Sequence, residues 1–300
     1  MFALLSKTYI LRKSWDIRKQ INRSAVDLAY VTYGPKITET NKHIIVLHGL
    51  LGSKRNWDSV CNNINKATNV CVIAADARNH GDSPHVNSHT YQELASDVSQ
   101  LITKLAINKA HIIGHSMGGR TAMTLALSEP SKVSSLIIAD VSPISSVSLR
   151  DSFFPVLLEA MNKVNFQNAN DLPKARQVAA DSIMATKIVD DINHLRFVMM
   201  NINQRPDNTF GWKYNTNALV NHFNSIATFP PELLNKQYPG PTLFVGGGQS
   251  DYIPKSDEPG IKVLFPNSEL KYINHVGHNV HVEDPGAFMN MIIPFLLKVL

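Results

Sequence analysis

Short continuous apolar runs alternate along this chain with stretches whose apolar residues recur every three or four positions. Ile44 to Leu47 is the first such run, and it is followed at once by His48-Gly49. Val70 to Ala74, His111 to Ile113, Leu136 to Ala139, Thr242 to Val245 and Leu270 to Ile273 are the others. Runs of this length suit strands buried on both faces of a parallel sheet. Val26 to Tyr33 alternates instead and ends in Gly34-Pro35-Lys36, which predicts an edge strand and a turn. Between the runs lie helical patterns. In the clearest, from about Tyr91 to Ala106, Leu94, Val98, Leu101, Ile102 and Leu105 share a face, and Thr90 with Glu93 forms a capping box. A last helix is expected from Pro285, with Asp284 as its N-cap. Strands alternating with helices predict a mostly parallel α/β sheet flanked by helices.

The alternation fails between about 143 and 230. That stretch reads as helices joined by irregular links, with no obvious sheet strand. Phe153, Phe154, Leu157, Leu158 and Met161 fall on one side of one helix, and Phe197 to Met200 mark another. A helical cap inserted after the strand ending near Ala139 is the expectation. With it go one domain over 26–300 and a separate leader over 1–25. The apolar stretch Met289 to Leu300 is expected to cover the sheet edge or to join a partner.

Composition sharpens this picture in three places. With 44% apolar and 18% charged residues among 300, the chain can bury a large core. The net charge of +5 comes from the leader: residues 1–23 carry Lys7, Arg12, Lys13, Arg18, Lys19 and Arg23 against Asp16, and the rest is formally neutral. A nucleic-acid face needs clustered bases in the folded part, and none is visible there. A basic, acid-poor, serine-containing leader with an apolar helix side is instead the composition of a mitochondrial transit peptide, the alternative being a cytoplasmic protein with a basic N-terminus. No run reaches the length of a membrane-spanning helix. Cys61 and Cys71, the two cysteines, suggest packed, reduced thiols rather than a disulfide framework.

The strongest chemical signal is Gly114-His115-Ser116-Met117-Gly118-Gly119, lying between the run ending at Ile113 and a helical stretch closed by Pro130. Strand, sharp turn, helix is the setting of a nucleophile elbow. The turn forces the serine into strained backbone angles, and glycines keep Cβ atoms out of the crowded turn. A serine hydroxyl needs a base. Of the twelve histidines, His278 follows the last strand through a Gly277-containing loop and is the candidate, with His275 and His281 as rivals. The same trio is also a conceivable metal cluster, though no fourth ligand is implied. The acid that orients the base must fall between nucleophile and histidine, and both Asp140 and Asp251 follow a predicted strand there. Spacing leaves both open. The oxyanion hole needs two amides, for which Met117 and Leu50 of the His48-to-Ser53 loop are the candidates, with His48 as a brace for that loop.

Taken together, His48-Gly49-Leu50-Leu51-Gly52-Ser53, Asp76-Ala77-Arg78-Asn79-His80-Gly81-Asp82-Ser83, the elbow and Asp140-Val141-Ser142-Pro143 resemble the alpha/beta-hydrolase superfamily. Within it, the Arg78-Asn79-His80-Gly81 version and the Asp140 step resemble a mitochondrial enzyme type and its bacterial esterase relatives. The resemblance covers residues 26–300 and is weak in the cap. It implies esterase, thioesterase or acylglycerol-lipase activity, no cofactor and a mitochondrial address. It also bears on the acid: bacterial esterases of this type match Asp140, whereas many other members use the later strand, which would be Asp251. Those close relatives often lack an acid at the place of Asp251. The Asp76-to-Ser83 stretch is expected to fix a tight loop without taking part in chemistry.

Phe153, Phe154, Phe197, Met199 and Met200 suggest either an apolar pocket for an acyl chain or packing between cap and body. Three functions compete: hydrolysis of a small-molecule acyl ester or lipid, another reaction on the same fold (C–C bond hydrolysis or a perhydrolase), and a binding protein without turnover. Dehalogenase chemistry is disfavoured, since it would use Asp where Ser116 stands.

Overall fold

The computed structural model describes residues 25–39, 42–145, 154–187 and 192–300. The leader expectation therefore falls almost entirely outside the described residues. The strands are β1 (Tyr30–Tyr33), β2 (His43–Leu47), β3 (Cys71–Ala75), β4 (Ala110–His115), β5 (Val133–Ala139), β6 (Ile202–Gln204), β7 (Phe210–Trp212), β8 (Thr242–Gly247) and β9 (Ser268–Ile273). Seven of them form one sheet in the order β1-β3-β2-β4-β5-β8-β9. β1 pairs antiparallel with β3, and the remaining pairs in that sheet are parallel.

The continuous apolar runs are explained by two covered faces. Ile45, Ile73, Ile112, Leu136, Ile138 and Phe244 pack to one side, with α2 (Tyr91–Lys104) and α3 (Met117–Ser128). Ile44, Val46, Val72, Ile113, Ile137, Leu243 and Val245 pack to the other. There they meet α1 (Asp58–Thr68) and α11 (Pro285–Val299). Each such side chain contributes about 1.5–3 kcal/mol by leaving water. The last helix thus covers a face of the sheet rather than its edge, because Phe288, Ile292 and Leu296 fall on one stripe and are buried. Its start is as the pattern implies, with the Asp284 carboxylate accepting from the Ala287 amide at 2.8 Å. The Thr90–Glu93 capping box is present at the start of α2. Cys61 and Cys71 are free and buried, and burial pushes the Cys61 thiol up to about 12.

Between β5 and β8 the chain forms a second layer. It holds α4 (Phe154–Asn162), α5 (Leu172–Met184), α6 (Ile192–Met199), α7 (Thr216–Asn221) and α8 (Phe223–Ala227). It also holds an antiparallel hairpin of β6 and β7, separate from the main sheet, which the sequence pattern did not reveal. Three residues per strand are too few to show a period of two. The layer has its own apolar cluster, built on Leu157, Leu158, Met161, Leu195 and Trp212, and that cluster takes in Leu50, Leu51, Tyr91 and Met117 from the body. The remaining helices are α9 (Glu258–Leu264) and α10 (Val280–Glu283). Among the described residues no helix is long and apolar enough to cross a membrane.

Candidate active site

Parallel strands deliver their following residues to a common edge, and here that edge collects the candidate chemistry. The loop from His48 follows β2, Ser116 follows β4, Asp140 follows β5, the turn over 248–252 follows β8 and the His278 loop follows β9. Ser116 joins β4 to α3 with φ 51 and ψ −117, a conformation costly for a residue with a side chain. The glycines around it are required by close approach. A Cβ on Gly114 would lie 2.4 Å from the Gly118 carbonyl oxygen, and one on Gly118 would lie 2.3 Å from that of Leu47.

His278 and Asp140 are brought together: His278 Nδ1 donates to Asp140 Oδ2 at 2.8 Å. Asp140 is fully buried and sits at φ 49, directly after its strand. Its other oxygen accepts the Gly247 amide at 2.8 Å, and the Ser250 hydroxyl donates to Oδ2 at 2.5 Å. Such donors make up for the water a buried carboxylate loses. Asp251 is exposed, and Ser250 beside it is the residue that reaches Asp140. Tyr252, one further on, stacks on the His278 ring with centroids 3.8 Å apart. Burial first, and then the Asp140 charge, push its phenol up to about 12. Among the described residues no hydrogen bond joins the Ser116 hydroxyl to the His278 ring. The two loops do touch, since His115 Nε2 donates to the His278 carbonyl at 2.9 Å.

The other two histidines go elsewhere. His275 is exposed and pairs with Asp284 at 2.8 Å. His281 is buried, stacked on Trp57 at 4.0 Å, and burial lowers its pKa to about 3. Three rings with three separate partners do not converge on one point.

Met117 directly follows Ser116, and a Cβ on Gly49, the residue before Leu50, would lie 3.3 Å from the Ser116 Cβ. Met117 opens α3, so its amide is one of the four a helix leaves without an internal partner. Among the described residues neither this amide nor that of Leu50 donates to a protein backbone acceptor. His48 braces the loop: Nδ1 donates to the Gly49 carbonyl at 2.8 Å, and Nε2 accepts the Ala77 amide at 3.0 Å.

The Asp76-to-Ser83 loop is fixed by its own bonds. Arg78 grips Asp97 with two contacts of 2.7 and 2.8 Å, and Asp76 holds the Lys54 and Asp82 amides. Gly81 sits at φ +56, where a Cβ would lie 2.2 Å from Asp76 Oδ2. The loop also anchors the second layer, as the Asn79 carbonyl accepts the Asn215 amide at 3.0 Å. Arg120 does the same from α3, donating to the Ala227 and Ser145 carbonyls at 2.9 Å each. The sequence signal for that role was a single charged residue, Arg120, in the helix Met117–Ser128.

Of the residues expected to line an apolar pocket, Phe154 and Met199 pack within the second layer's cluster, and Met200 is 58% exposed. Phe153 and the Phe197 side chain lie outside the described residues. A cleft of about 690 Å³ does occur in this layer, but Phe166, Arg205, Phe210, Trp212 and Tyr214 are among its walls.

Comparison with known proteins bears on the fold and the family. Residues 42–285 match the alpha/beta hydrolase fold family. The chain is 38% identical to the sn-1-specific diacylglycerol lipase ABHD11 of Danio rerio over 91% of its own length and 83% of that protein's. It is 31% identical to a putative esterase/lipase of Haemophilus influenzae, over 90% of this chain and 88% of the relative. Among solved structures, a marine microorganism esterase superposes with a TM-score of 0.79 at 29% identity, covering 92% of this chain and 100% of that one. The elbow, the parallel sheet beneath it and these matches agree: the chain belongs to the alpha/beta-hydrolase fold family, among relatives named as lipases and esterases.

Proposed function

We propose that this protein cleaves carboxylic esters through an acyl-enzyme on Ser116, with His278 as general base and Asp140 as the acid that orients it. The observation that carries the reading is the 2.8 Å bond from His278 Nδ1 to a fully buried Asp140, on the sheet edge that also presents the strained Ser116. Nδ1 is committed to the carboxylate, which leaves Nε2 to take the serine proton. Catalytic hydrogen bonds are commonly long in the absence of substrate and tighten when it binds, so the missing serine–histidine bond is compatible with this role.

The serine oxygen attacks the ester carbon, its proton passes to His278, and the carbonyl oxygen gains negative charge. The amides of Leu50 and Met117 supply an oxyanion hole at the start of α3, where the helix dipole adds to them. Collapse expels the alcohol, which takes the proton back from His278. Water then repeats the sequence on the acyl-enzyme. Relatives named as diacylglycerol lipases make an acylglycerol the preferred substrate class, with thioesters as a second class to be tried. The basic leader supports a mitochondrial address, which fusing residues 1–25 to a fluorescent protein would test.

The test is turnover of p-nitrophenyl butyrate, and then of diacylglycerols, by the native chain and by Ser116→Ala. Turnover that is lost with the serine supports the reading. A folded native chain without turnover on any ester or thioester would overturn it.

A further inference from the structure

His80 and Tyr214 are used by none of the steps above, yet both hold the residue beside the proposed oxyanion donor. Leu51 has φ 57, a left-handed conformation strained for any residue that carries a Cβ, so its neighbours must maintain it. Its amide donates to His80 Nε2 at 3.3 Å. Its carbonyl accepts the hydroxyl of Tyr214, which reaches in from the second layer just after β7. The two rings are themselves in edge contact, with centroids 5.4 Å apart. Both side chains are buried, so water does not compete for these bonds.

We infer that His80 and Tyr214 are positioning residues for the oxyanion hole, which clamp both ends of the Leu51 backbone so that the adjacent Leu50 amide faces the reacting carbonyl. The inference rests on the proposed role of Leu50. It gives His80 a function through the backbone, beyond the fixing of a tight loop.

The chemistry of His80 suits the task. Its Nδ1 donates to the Arg78 carbonyl at 3.0 Å, so Nε2 is left as an acceptor. An imidazolium has no lone pair to offer, and burial holds His80 well below the usual histidine range. Its neighbour His89, with the ring 5.6 Å away, brings Nε2 to 3.4 Å from the Met117 sulfur, so the histidine pair contacts one proposed donor residue, Met117, and Leu51, the neighbour of the other. Because Tyr214 belongs to the second layer, one end of the clamp depends on that layer being seated.

The experiment compares kcat and KM for p-nitrophenyl butyrate in the native chain, Tyr214→Phe, His80→Leu and His80→Gln. In each it also measures the affinity of a trifluoromethyl ketone, which forms an oxyanion on the serine, against that of the methyl ketone, which does not. Tyr214→Phe and His80→Leu are each expected to lower kcat about 10- to 100-fold, up to the cost of a group misplaced by about 1 Å and below the roughly 100- to 1000-fold of a donor removed outright, with KM little changed. Trifluoromethyl ketone affinity should fall in step while methyl ketone affinity holds. His80→Gln, whose amide oxygen can accept from Leu51, should recover most of the loss. Because Tyr214→Phe removes one hydroxyl, it decides the matter if His80→Leu fails to fold. Native kcat in Tyr214→Phe, or equal losses for both ketones, would overturn the inference. Ser116→Ala in the same assay keeps the two ideas apart, since turnover surviving that change defeats the proposed function itself.

Discussion

Asp140 and Asp251 each follow a strand of the parallel sheet at its carboxyl edge, and those strands, β5 and β8, are hydrogen-bonded neighbours. Asp140 comes directly after β5, turns at φ 49, and is buried against the end of β8, where the Gly247 amide, the Ser250 hydroxyl and the His278 ring all meet its carboxylate. Asp251 comes four residues after Gly247, at the exposed tip of its turn. Being at the correct edge is therefore not enough. What separates the two is how closely the residue adjoins the strand and what donors surround its oxygens. The turn after β8 contributes donors and a stacking ring to the site, and the turn after β5 contributes the charge.

Asp140→Asn is expected to have the largest effect. An amide there cannot hold the Nδ1 tautomer of His278, and kcat is expected to fall about 10,000-fold, the size known for the equivalent change in serine proteases. Steady-state turnover of p-nitrophenyl butyrate checks it.

A second effect concerns stability and must be separated from activity at low pH. His89 and His281 are buried, and burial holds both at about 3, against about 6.5 in an unfolded chain. Protons therefore bind the unfolded state first. The stability from these rings is present above pH 6.5 and is lost as pH falls towards 3, about 2 kcal/mol per ring by pH 5. Thermal unfolding at pH 7.5 and 5 should show a lower Tm at the acid end. An unchanged Tm would contradict the neutral, buried state of these rings.

Ser250→Ala removes one of three donors to Asp140 and is expected to lower kcat about 5- to 10-fold, the worth of roughly one hydrogen bond. Asp251→Asn should change kcat by less than about twofold, as surface changes usually do. If the order of these two effects were reversed, the contrast between the turns would fail.

Much of the body can be read along the sequence because its signals are local. Ile44 to Leu47 and Leu136 to Ala139 are continuous apolar runs since both faces of their strands are covered, and Thr90 caps a helix with Glu93, only three positions away. The elbow is equally local, a strand, a serine and a helix within about twenty positions. Spacing alone does not separate Asp140 from Asp251, and only the family resemblance favours Asp140, because the contacts around its carboxylate join residues 107 to 138 positions apart. The hairpin of β6 and β7 is too short to announce itself. Ser250, Tyr252 and Tyr214 carry no motif, and their contacts with Asp140, His278 and Leu51 exist only once distant loops meet.

The most direct test of the account is the rate of covalent labelling by a fluorophosphonate, read by intact mass, in the folded native chain, Ser116→Ala, Asp140→Asn and Asp251→Asn. One adduct is expected on the native chain and on Asp251→Asn at similar rates, much slower labelling of Asp140→Asn, and none of Ser116→Ala. An unlabelled native chain, or an adduct that survives Ser116→Ala, would contradict the serine-hydrolase reading, and loss of labelling in Asp251→Asn with retention in Asp140→Asn would contradict the assignment of the acid.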